Sequence, residues 1–423
     1  MTVLIAGGGI GGLALALSLH QIGVKCRVFE SVKEIKPLGV GINVLPHACR
    51  ELIELGLQEE LERTSIRTSE LAYFSKHGKR IWTEPRGIDA GYKWPQYSIH
   101  RGELQFILLR AAIERLGAEN IVTGHHVSRW EETANGVRAH FTDKDGKAVG
   151  SEEGSLLIAC DGIHSTIRSK LFPDEGPPIW SRRILWRGVT VAKPFMTGSS
   201  MIMAGYPQVK FVAYPISKPD QNGMQMINWI AEREFEETYE WRREDYNRAA
   251  KLEEFAPLFE HWNFGWLDVP GLIRDAEYCF EYPLVDRDPR ERWSYGRVTL
   301  LGDAAHPMYP IGSNGSSQAI LDARVLAREI QDKGETIAAL DAYEAERRPA
   351  TSQLVLLNRG NGPERVMEMV EQRAPNGFNV VTEVLSQQEL EEVANNYKKV
   401  AGFQVEALNA RPSIVQPKMA MVK

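Results

Sequence analysis

The feature that most constrains this chain is an apolar strand at its amino terminus that runs directly into a glycine-rich turn and a helix. The stretch reads Val3-Leu4-Ile5-Ala6-Gly7-Gly8-Gly9-Ile10-Gly11-Gly12-Leu13. In a Gly-x-Gly-x-x-Gly pattern the first glycine makes a tight turn, the second lets the backbone approach a pyrophosphate, and the third lets helix and strand pack closely. We expect a side chain at any of the three to clash. The residues expected to contact a dinucleotide here are Gly7, Gly9, Ile10, Gly11 and Gly12.

A helix and a second strand complete this unit. The helix, residues 13–19, would point free N–H groups and the positive end of its dipole at the phosphates. The second strand, residues 24–30, ends in Glu30, where a carboxylate can bind ribose hydroxyls. Ser31 follows it and is expected at the same contact. The alternative interpretation is a glycine-rich turn in an ordinary doubly wound sheet.

Composition limits the class of protein. The chain has 423 residues, 43% of them hydrophobic and 25% charged, which is typical of a globular protein with two or three domains. A net charge of −6 argues against binding of nucleic acid through its phosphates. No apolar run is long enough to span a membrane and no signal peptide is present, so we expect a cytoplasmic protein. Its four cysteines are widely spaced, which predicts neither a metal site nor disulfides.

Two further segments could contact a bound cofactor. The loop at residues 35–43 places Gly39 and Gly41 between apolar residues, so it could lie flat against a ring, although both glycines could simply be turn residues. Arg101 precedes a predicted helix over residues 104–116, where a cation can meet an anion held by the first turn. A solvated arginine at a helix start is the alternative.

Two later strands end in small and acidic residues. The buried strand at 156–160 is followed by Asp161 and Gly162, and Ser165 can begin the next helix. The strand at 297–301 is followed by Asp303 and then by a loop of small residues that opens a helix running to about residue 332. Ligands bind at the carboxyl ends of strands in open α/β sheets, and a helix N-terminus can stabilise an anion. The loop residues singled out here are Pro310, Gly312, Asn314 and Gly315.

The middle of the chain predicts antiparallel sheets. Residues 120–153 show short alternating runs separated by turns, typical of a strand meander. Residues 172–282 are rich in apolar and aromatic strands, and one face of such a sheet could cover a pocket for a flat substrate. Each of these aromatic residues could equally belong to the core. The candidate pocket residues are Trp186, Met203, Tyr214 and Trp229.

Four of these motifs, taken in order, resemble the single-component FAD-dependent aromatic hydroxylases, the class A flavoprotein monooxygenases. They are residues 7–12 with Glu30, Arg101, Asp161-Gly162, and Gly302-Asp303 with Pro310-x-Gly312. More narrowly, residues 37–43, 95–104, 282–289 and 317–322 resemble the phenazine-carboxylate monooxygenases of this class.

The resemblance implies a fold and a division of the chain. It implies a mixed α/β protein in which a Rossmann-like parallel sheet binds FAD and an inserted antiparallel sheet binds substrate. The expected parts are residues 1–171 and 283–345 for the FAD-binding domain, 172–282 for the substrate domain, and 346–423 for a helical carboxyl-terminal region. The chain would be a monomer or a homodimer.

The resemblance also implies roles for residues. Glu30 would bind the adenosine ribose, Arg101 the pyrophosphate region and Asp303 the ribityl chain. The Asp161-Gly162 loop would contact both FAD and NAD(P)H, and Gly312–Gly315 would face the flavin ring.

The implied reaction uses one resident FAD and a visiting NADH or NADPH, because the sequence shows a single dinucleotide motif. Reduced flavin would react with O2 to give a C4a-hydroperoxide, which would hydroxylate a fused or N-heterocyclic aromatic such as a phenazine carboxylate, with or without loss of the carboxylate. Tyr214 and His47 are the candidate bases, although His47 is better read as a structural histidine. The alternatives are another aromatic such as salicylate or a quinolone, a flavin oxidase or reductase, and a flavin-less binding protein on the same fold.

Overall fold

The computed structural model describes residues 1–37, 39–241 and 248–416. Leu38, in the predicted glycine loop, and the last residues of the tail, 417–423, lie outside the described residues. The strands of the described part are, in chain order, β1 (Val3–Ala6), β2 (Cys26–Glu30), β3 (Gly41–Val44), β4 (Ile66–Arg67), β5 (Glu70–Phe74), β6 (Arg80–Pro85), β7 (Tyr97–His100), β8 (Ile121–Thr123), β9 (His126–Glu132), β10 (Val137–Thr142), β11 (Ala148–Gly154), β12 (Leu157–Ala159), β13 (Ile179–Ala192), β14 (Ser200–Tyr206), β15 (Val209–Pro215), β16 (Gln225–Glu234), β17 (Tyr278–Asp286), β18 (Ser294–Tyr295) and β19 (Val298–Leu300).

Helices join these strands and form most of the carboxyl-terminal region. They are α1 (Ile10–Gln21), α2 (Pro46–Glu54), α3 (Gln58–Thr64), α4 (Arg101–Leu116), α5 (Thr166–Leu171), α6 (Val269–Arg274), α7 (Gly315–Lys333), α8 (Ile337–Arg359), α9 (Arg365–Arg373), α10 (Gln387–Val400) and α11 (Val405–Ala410). Helix α4 begins at Arg101, three residues earlier than the sequence suggested. None of the helices in the described ranges combines the length and apolarity needed to cross a bilayer.

A six-stranded sheet organises the amino-terminal part. Its order is β18-β19-β12-β1-β2-β8, and all neighbours except the β18-β19 pair run parallel. Strands β1 and β12 are buried along their whole length, as expected for parallel strands covered on both faces. Because the strands are parallel, the residues that follow β1, β2, β12 and β19 meet at one edge of the sheet. The predicted α/β class and parallel sheet are confirmed.

A seven-stranded sheet forms the second large layer, in the order β17-β13-β16-β15-β14-β5-β6. Its neighbours are antiparallel except β14 and β5, which run parallel. Strands β5 and β6 come from residues 70–85, ahead of the segment predicted to form this sheet. The division of the chain at residues 171, 282 and 345 stays a prediction.

The two faces of this sheet bury different side chains, because successive residues of a strand point to opposite faces. One face carries Trp186, Phe211 and Trp229 against an aromatic layer from residues 255–273. The opposite face carries Met203, Val212 and Tyr214 and is partly covered by α9 and α10. This second face is the one that borders the cavity described below.

Two small sheets complete the architecture. Strands β9, β10 and β11 form the predicted antiparallel meander. Strands β3, β7 and β4 form the other sheet. Here the Gly41 N–H donates to Asn228 Oδ1 at 2.7 Å and ties β3 to the seven-stranded sheet. A Cβ at Gly41 would lie 2.6 Å from the Cβ of Asn228, so only glycine permits this contact.

Candidate active site

In the glycine turn between β1 and α1, surrounding backbone leaves no room for a side chain at two of the three key glycines. A Cβ on Gly12 would lie 2.1 Å from the Gly7 carbonyl oxygen, and one on Gly7 would lie 2.3 Å from the Cys160 carbonyl oxygen. Gly7 also has φ +108°, which L side chains rarely adopt. A Cβ on Gly9 would meet nothing within 4 Å. No protein atom would therefore clash with a side chain at Gly9, where the backbone borders open space, and the clash expected there with a bound pyrophosphate stays a prediction.

The N-terminus of α1 and the end of β2 lie on either side of this turn. No side chain caps α1, so its first N–H groups are available to an anion. Glu30 Oε2 accepts a hydrogen bond from the Gly8 N–H at 2.8 Å, and its Oε1 accepts one from the Ser31 hydroxyl at 2.9 Å. These bonds hold the carboxylate at the carboxyl end of β2, where it could still accept a ribose hydroxyl.

The loop after β12 contains a carboxylate, one oxygen of which is buried and accepts no hydrogen bond from the described residues. Asp161 Oδ2 accepts the Thr166 N–H at 2.9 Å, whereas its Oδ1 is buried and has no partner in the described residues. Burial raises the pKa of Asp161, and hydrogen bonds from Ser165 and the backbone oppose that rise. Gly162 has φ +78° and open space on its Cβ side. This loop therefore offers a hydrogen-bond acceptor and a glycine to a ligand above the sheet.

Arg168, on the helix that Ser165 begins, supports the neighbouring strand end. It is buried, pairs with Glu175 at 2.6 Å, and donates to the carbonyls of Ala304 and Ala305 at 2.9 and 2.7 Å. Ser165 caps its helix by accepting the Arg168 N–H at 2.9 Å, as predicted. Arg168 thus fixes the backbone immediately after Asp303.

Asp303 follows β19, and its side chain is exposed to the cavity described below. The protein that surrounds this cavity raises the pKa of Asp303 by desolvation, with His306 and Arg101 opposing the rise. Behind it, Asp322 of α7 accepts from His306 at 2.5 Å and from Arg347 at 2.7 Å. Burial works against ionisation of Asp322, but the interactions with His306 and Arg347 outweigh it and lower the pKa of Asp322 to about 2. The strand end is therefore held by a charged network on the side away from the cavity.

The loop before α7 is fixed from outside by the carboxyl-terminal region. The Tyr397 hydroxyl of α10 donates to the Ile311 carbonyl at 3.0 Å and accepts from Asn314 Nδ2 at 2.9 Å. A Cβ on Gly312, which has φ +69°, would lie 2.0 Å from that hydroxyl. The Asn314 side chain and the Cβ direction of Gly312 therefore face Tyr397 rather than the cavity. Pro310 and Gly315 do line the cavity.

One continuous cavity of about 340 Å³ joins the glycine turn to the seven-stranded sheet. Its upper wall comes from the strand ends of the parallel sheet, and its floor from one face of the antiparallel sheet. The residues that line the upper wall include Gly9, Ile10, Gly11, Gly41, Arg101, Gly162, Asp303, Pro310 and Gly315. The floor is formed by Leu185, Arg187, Met201, Met203, Lys210, Val212, Tyr214, Ile230 and Glu232, with Leu284 and Glu364 beside them.

Arg187 and Tyr214 supply polar groups to this floor. The Arg187 guanidinium donates to the Gly41 carbonyl at 2.7 Å and hydrogen-bonds the Tyr214 hydroxyl. No carboxylate of the described chain lies within ion-pair distance of Arg187, and its Nε has no partner. Burial raises the pKa of Tyr214, and Arg187 opposes that rise. The cavity thus contains a cation without an acidic partner beside a neutral phenol.

Three candidate residues lie away from the cavity. Trp186 stacks on Phe255 and Trp229 donates to Thr190, both on the opposite face of the sheet, because strand alternation turns Arg187 and Ile230 inward instead. His47 is fully buried, stacks on Phe403, and lines no part of the cavity. Burial, with Arg411 and Arg347, lowers the pKa of His47 to about 3. Trp186 and Trp229 therefore do not line the cavity as predicted, and the position of His47 is that expected for a structural histidine rather than for a base.

The fold and the site together define the flavoprotein class, in which a glycine turn of the dinucleotide-binding type opens onto a cavity between two sheets. The open space beside Gly9, the uncapped α1 and the unpaired Asp161 oxygen all fit a bound dinucleotide. The chain belongs to the FAD-binding domain family, whose profile matches residues 1–357.

Individual relatives agree with this family. The chain is 47% identical over 361 residues to a phenazine 1,6-dicarboxylic acid hydroxylase of Lysobacter antibioticus, covering 84% of this chain and 89% of the relative. It is 32% identical over 373 residues to a 3-amino-4-hydroxybenzoate 2-monooxygenase of Streptomyces platensis, covering 86% and 88%. Among solved structures, Klebsiella pneumoniae HpxO in complex with FAD and uric acid matches with a TM-score of 0.72 and 25% identity, over 95% of this chain and 96% of that one. The chain is an FAD-dependent monooxygenase of the aromatic hydroxylase class.

Sequence reasoning missed several residues of the site. Arg187 was a detectable candidate, since it is a cation inside an apolar strand next to Trp186. Asn228, Tyr397 and the charged group Lys210, Glu232 and Glu364 carry no local signal, because their roles depend on contacts between distant segments.

Proposed function

We propose that this protein catalyses the NAD(P)H- and O2-dependent hydroxylation of a carboxylated fused or N-heterocyclic aromatic, such as a phenazine carboxylate. The observation that carries the substrate class is Arg187, a cation without an acidic partner in the described chain, beside the apolar middle of the cavity floor. The name of the relative from Lysobacter supports a phenazine substrate. Overall, one oxygen atom of O2 enters the aromatic ring and the other leaves as water, with two electrons from NAD(P)H.

The upper wall would hold FAD. We propose that Gly9, Ile10 and Gly11 approach its pyrophosphate, that Glu30 with Ser31 binds its ribose, and that Asp303 binds its ribityl chain. Arg101 lies at the start of α4 and has no ion-pair partner in the described ranges, so it could meet a phosphate. The uncapped N-terminus of α7, beside Gly315, would stabilise negative charge on the ring system. When bound and reduced by NAD(P)H, FAD supplies the activation of O2 and the oxygen transfer.

The floor would position the substrate and exclude water. Met203, Val212 and Ile230 offer an apolar surface to a flat ring. Arg187 would bind the substrate carboxylate in a charge-assisted hydrogen bond. Because burial raises its pKa, the Tyr214 hydroxyl keeps its proton at neutral pH and would donate a hydrogen bond to the substrate rather than act as a ready base.

Substrate-stimulated NAD(P)H oxidation by the FAD-loaded protein tests this proposal. The panel pairs phenazine-1-carboxylate, salicylate and quinoline carboxylates with their uncarboxylated parents, in wild type and in Arg187→Met. We expect the carboxylates to stimulate oxidation in wild type, and Arg187→Met to raise their KM about tenfold or more, since a hydrogen bond between charged groups contributes about 1.5–3 kcal/mol. The parent compounds should be unaffected by the substitution.

Arg182→Met is the matched control, because Arg182 lies on the same strand but is exposed and pairs with Glu234 outside the cavity. The proposal fails if no carboxylated aromatic stimulates oxidation. The assignment of Arg187 fails if both variants leave the KM of the carboxylates unchanged.

A further inference from the structure

The far end of the cavity floor carries a buried charged group that the proposed reaction does not use. It consists of Lys210 on β15, Glu232 on β16 and Glu364 beside the start of α9, and we call it the distal charged group. The three residues are 5%, 5% and 8% exposed, and all three line the cavity. Charged side chains are almost never buried to this extent unless they are paired, so their presence on a cavity wall calls for a reason.

The distal charged group contains more acidic than basic side chains. Lys210 Nζ lies 3.0 Å from Glu232 Oε2 and also hydrogen-bonds Glu364 Oε2. Two carboxylates therefore face the cavity with one ammonium between them. Glu232 Oε1 is buried without a hydrogen-bond partner in the described residues. Arg183 Nη1 lies 3.7 Å from this oxygen, beyond hydrogen-bond distance, and Arg183 also pairs with Glu234.

The electrostatics of the group match this arrangement. Burial works against the charge of Lys210, but Glu232 and Glu364 outweigh it and raise the pKa of Lys210, so the ammonium stays charged. Burial and Glu232 raise the pKa of Glu364 against the opposing effect of Lys210. The group has more acceptor capacity than its own donors fill, so a hydrogen-bond donor is favoured there over a further carboxylate.

Strand geometry places this group at the other end of the floor from Tyr214. On β15 the inward residues are Lys210, Val212 and Tyr214, so Lys210 and Tyr214 are about 13 Å apart along the strand, with Val212 between them. Arg187 is in register with Val212 through Ile230, and its guanidinium extends from there to the Gly41 carbonyl at the Tyr214 end. The floor therefore has a cationic end, an apolar middle and an acid-rich end.

We propose that the distal charged group is a recognition subsite for a hydrogen-bond-donating substituent, a hydroxyl, an amino group or a ring N–H, on the part of the aromatic substrate remote from its carboxylate. This inference rests on the proposed function. Together with Arg187, the subsite fixes the orientation of the substrate and so determines which ring carbon is hydroxylated.

The test measures dissociation constants of ligands by the change in flavin absorbance of the FAD-loaded protein. The ligands are phenazine-1-carboxylate, its isomers with one hydroxyl or amino group on the remote ring, the matched methyl isomers, and phenazine-1,6-dicarboxylate. We expect at least one donor-bearing isomer to bind wild type about tenfold more tightly than its methyl counterpart. This preference should disappear in Glu232→Gln and in Glu364→Gln, and the ratio of hydroxylated regioisomers should change with it.

Glu234→Gln is the control, since Glu234 is two residues from Glu232 on β16 but does not line the cavity. FAD content and the thermal unfolding midpoint show whether each variant is folded. If one of the two glutamine variants does not fold, the other still tests the inference. The inference is overturned if donor and methyl isomers bind wild type equally, if the preference survives both substitutions, or if wild type prefers the dicarboxylate. If no aromatic carboxylate binds at all, the proposed function fails instead.

Discussion

At the residue scale, two glycines of the first turn differ in what a side chain at their position would contact. Gly12 is constrained by the protein itself, because its Cβ position is filled by the Gly7 carbonyl. Gly9 is constrained by nothing in the described chain and borders the cavity. The space beside Gly9 is therefore open to a ligand that approaches its backbone closely.

This difference predicts that alanine variants at the two positions differ in their effect on stability. Gly9→Ala should leave the unfolding midpoint of the FAD-free protein unchanged but lower the affinity for FAD about tenfold or more, because the methyl group occupies the space of the pyrophosphate. Gly12→Ala should lower both the unfolding midpoint and the affinity for FAD, since the backbone at the turn must shift. Thermal unfolding of the FAD-free protein and fluorescence titration with FAD measure the two effects. Equal affinity for FAD in wild type and Gly9→Ala would contradict this assignment of the turn.

At the scale of elements, helix α10 secures the loop that opens α7. Tyr397 fills the concave side of that loop and bonds both Ile311 and Asn314. Asn358 of α8 donates to the Tyr309 carbonyl at 3.0 Å and adds to the same support. The N-terminus of α7, which would lie beside the flavin ring, thus depends on helices from the last part of the chain.

Tyr397→Phe tests this dependence. Loss of the hydroxyl leaves the Ile311 carbonyl without its donor and removes an acceptor of Asn314, which costs about 1–3 kcal/mol for a buried group. We expect a lower unfolding midpoint and, because the α7 N-terminus is less well held, a more negative midpoint potential of bound FAD. Tyr92→Phe is the control, since the Tyr92 hydroxyl donates to Phe403 in the same apolar cluster without touching the loop. An unchanged potential in Tyr397→Phe would assign Tyr397 a purely structural role.

Whether a feature could be predicted from the sequence depends on how far apart along the chain the interacting residues lie. The glycine turn, the acid at the end of β2 and the Ser165 cap are local, and their residue types suffice to predict the turn, the strand end and the cap. The inward face of a strand depends on its register with neighbours, so Trp186 and Trp229 were placed in the pocket although pairing turns them to the opposite side. Tyr397 and Ile311 are far apart in the chain, and no local pattern connects them.

At the scale of the whole molecule, two sheets with different tasks enclose one cavity. The parallel sheet brings its strand ends to the upper wall, and the antiparallel sheet supplies a flat floor that is polar at both ends. The contact between Gly41 and Asn228 joins the small sheet that contains β3 to the floor at the cationic end. In the proposed function, cofactor and aromatic substrate meet in this cavity and oxygen is transferred there.

Oxygen incorporation measured against NAD(P)H consumption tests that claim most directly. The FAD-loaded protein is incubated under ¹⁸O₂ with the best-binding aromatic carboxylate, and the product is analysed by mass spectrometry. The account predicts one ¹⁸O atom per product molecule and close to one product molecule per NAD(P)H oxidised, whether or not the carboxylate is lost. NAD(P)H oxidation that yields only hydrogen peroxide, or a product whose new oxygen comes from water, would contradict it.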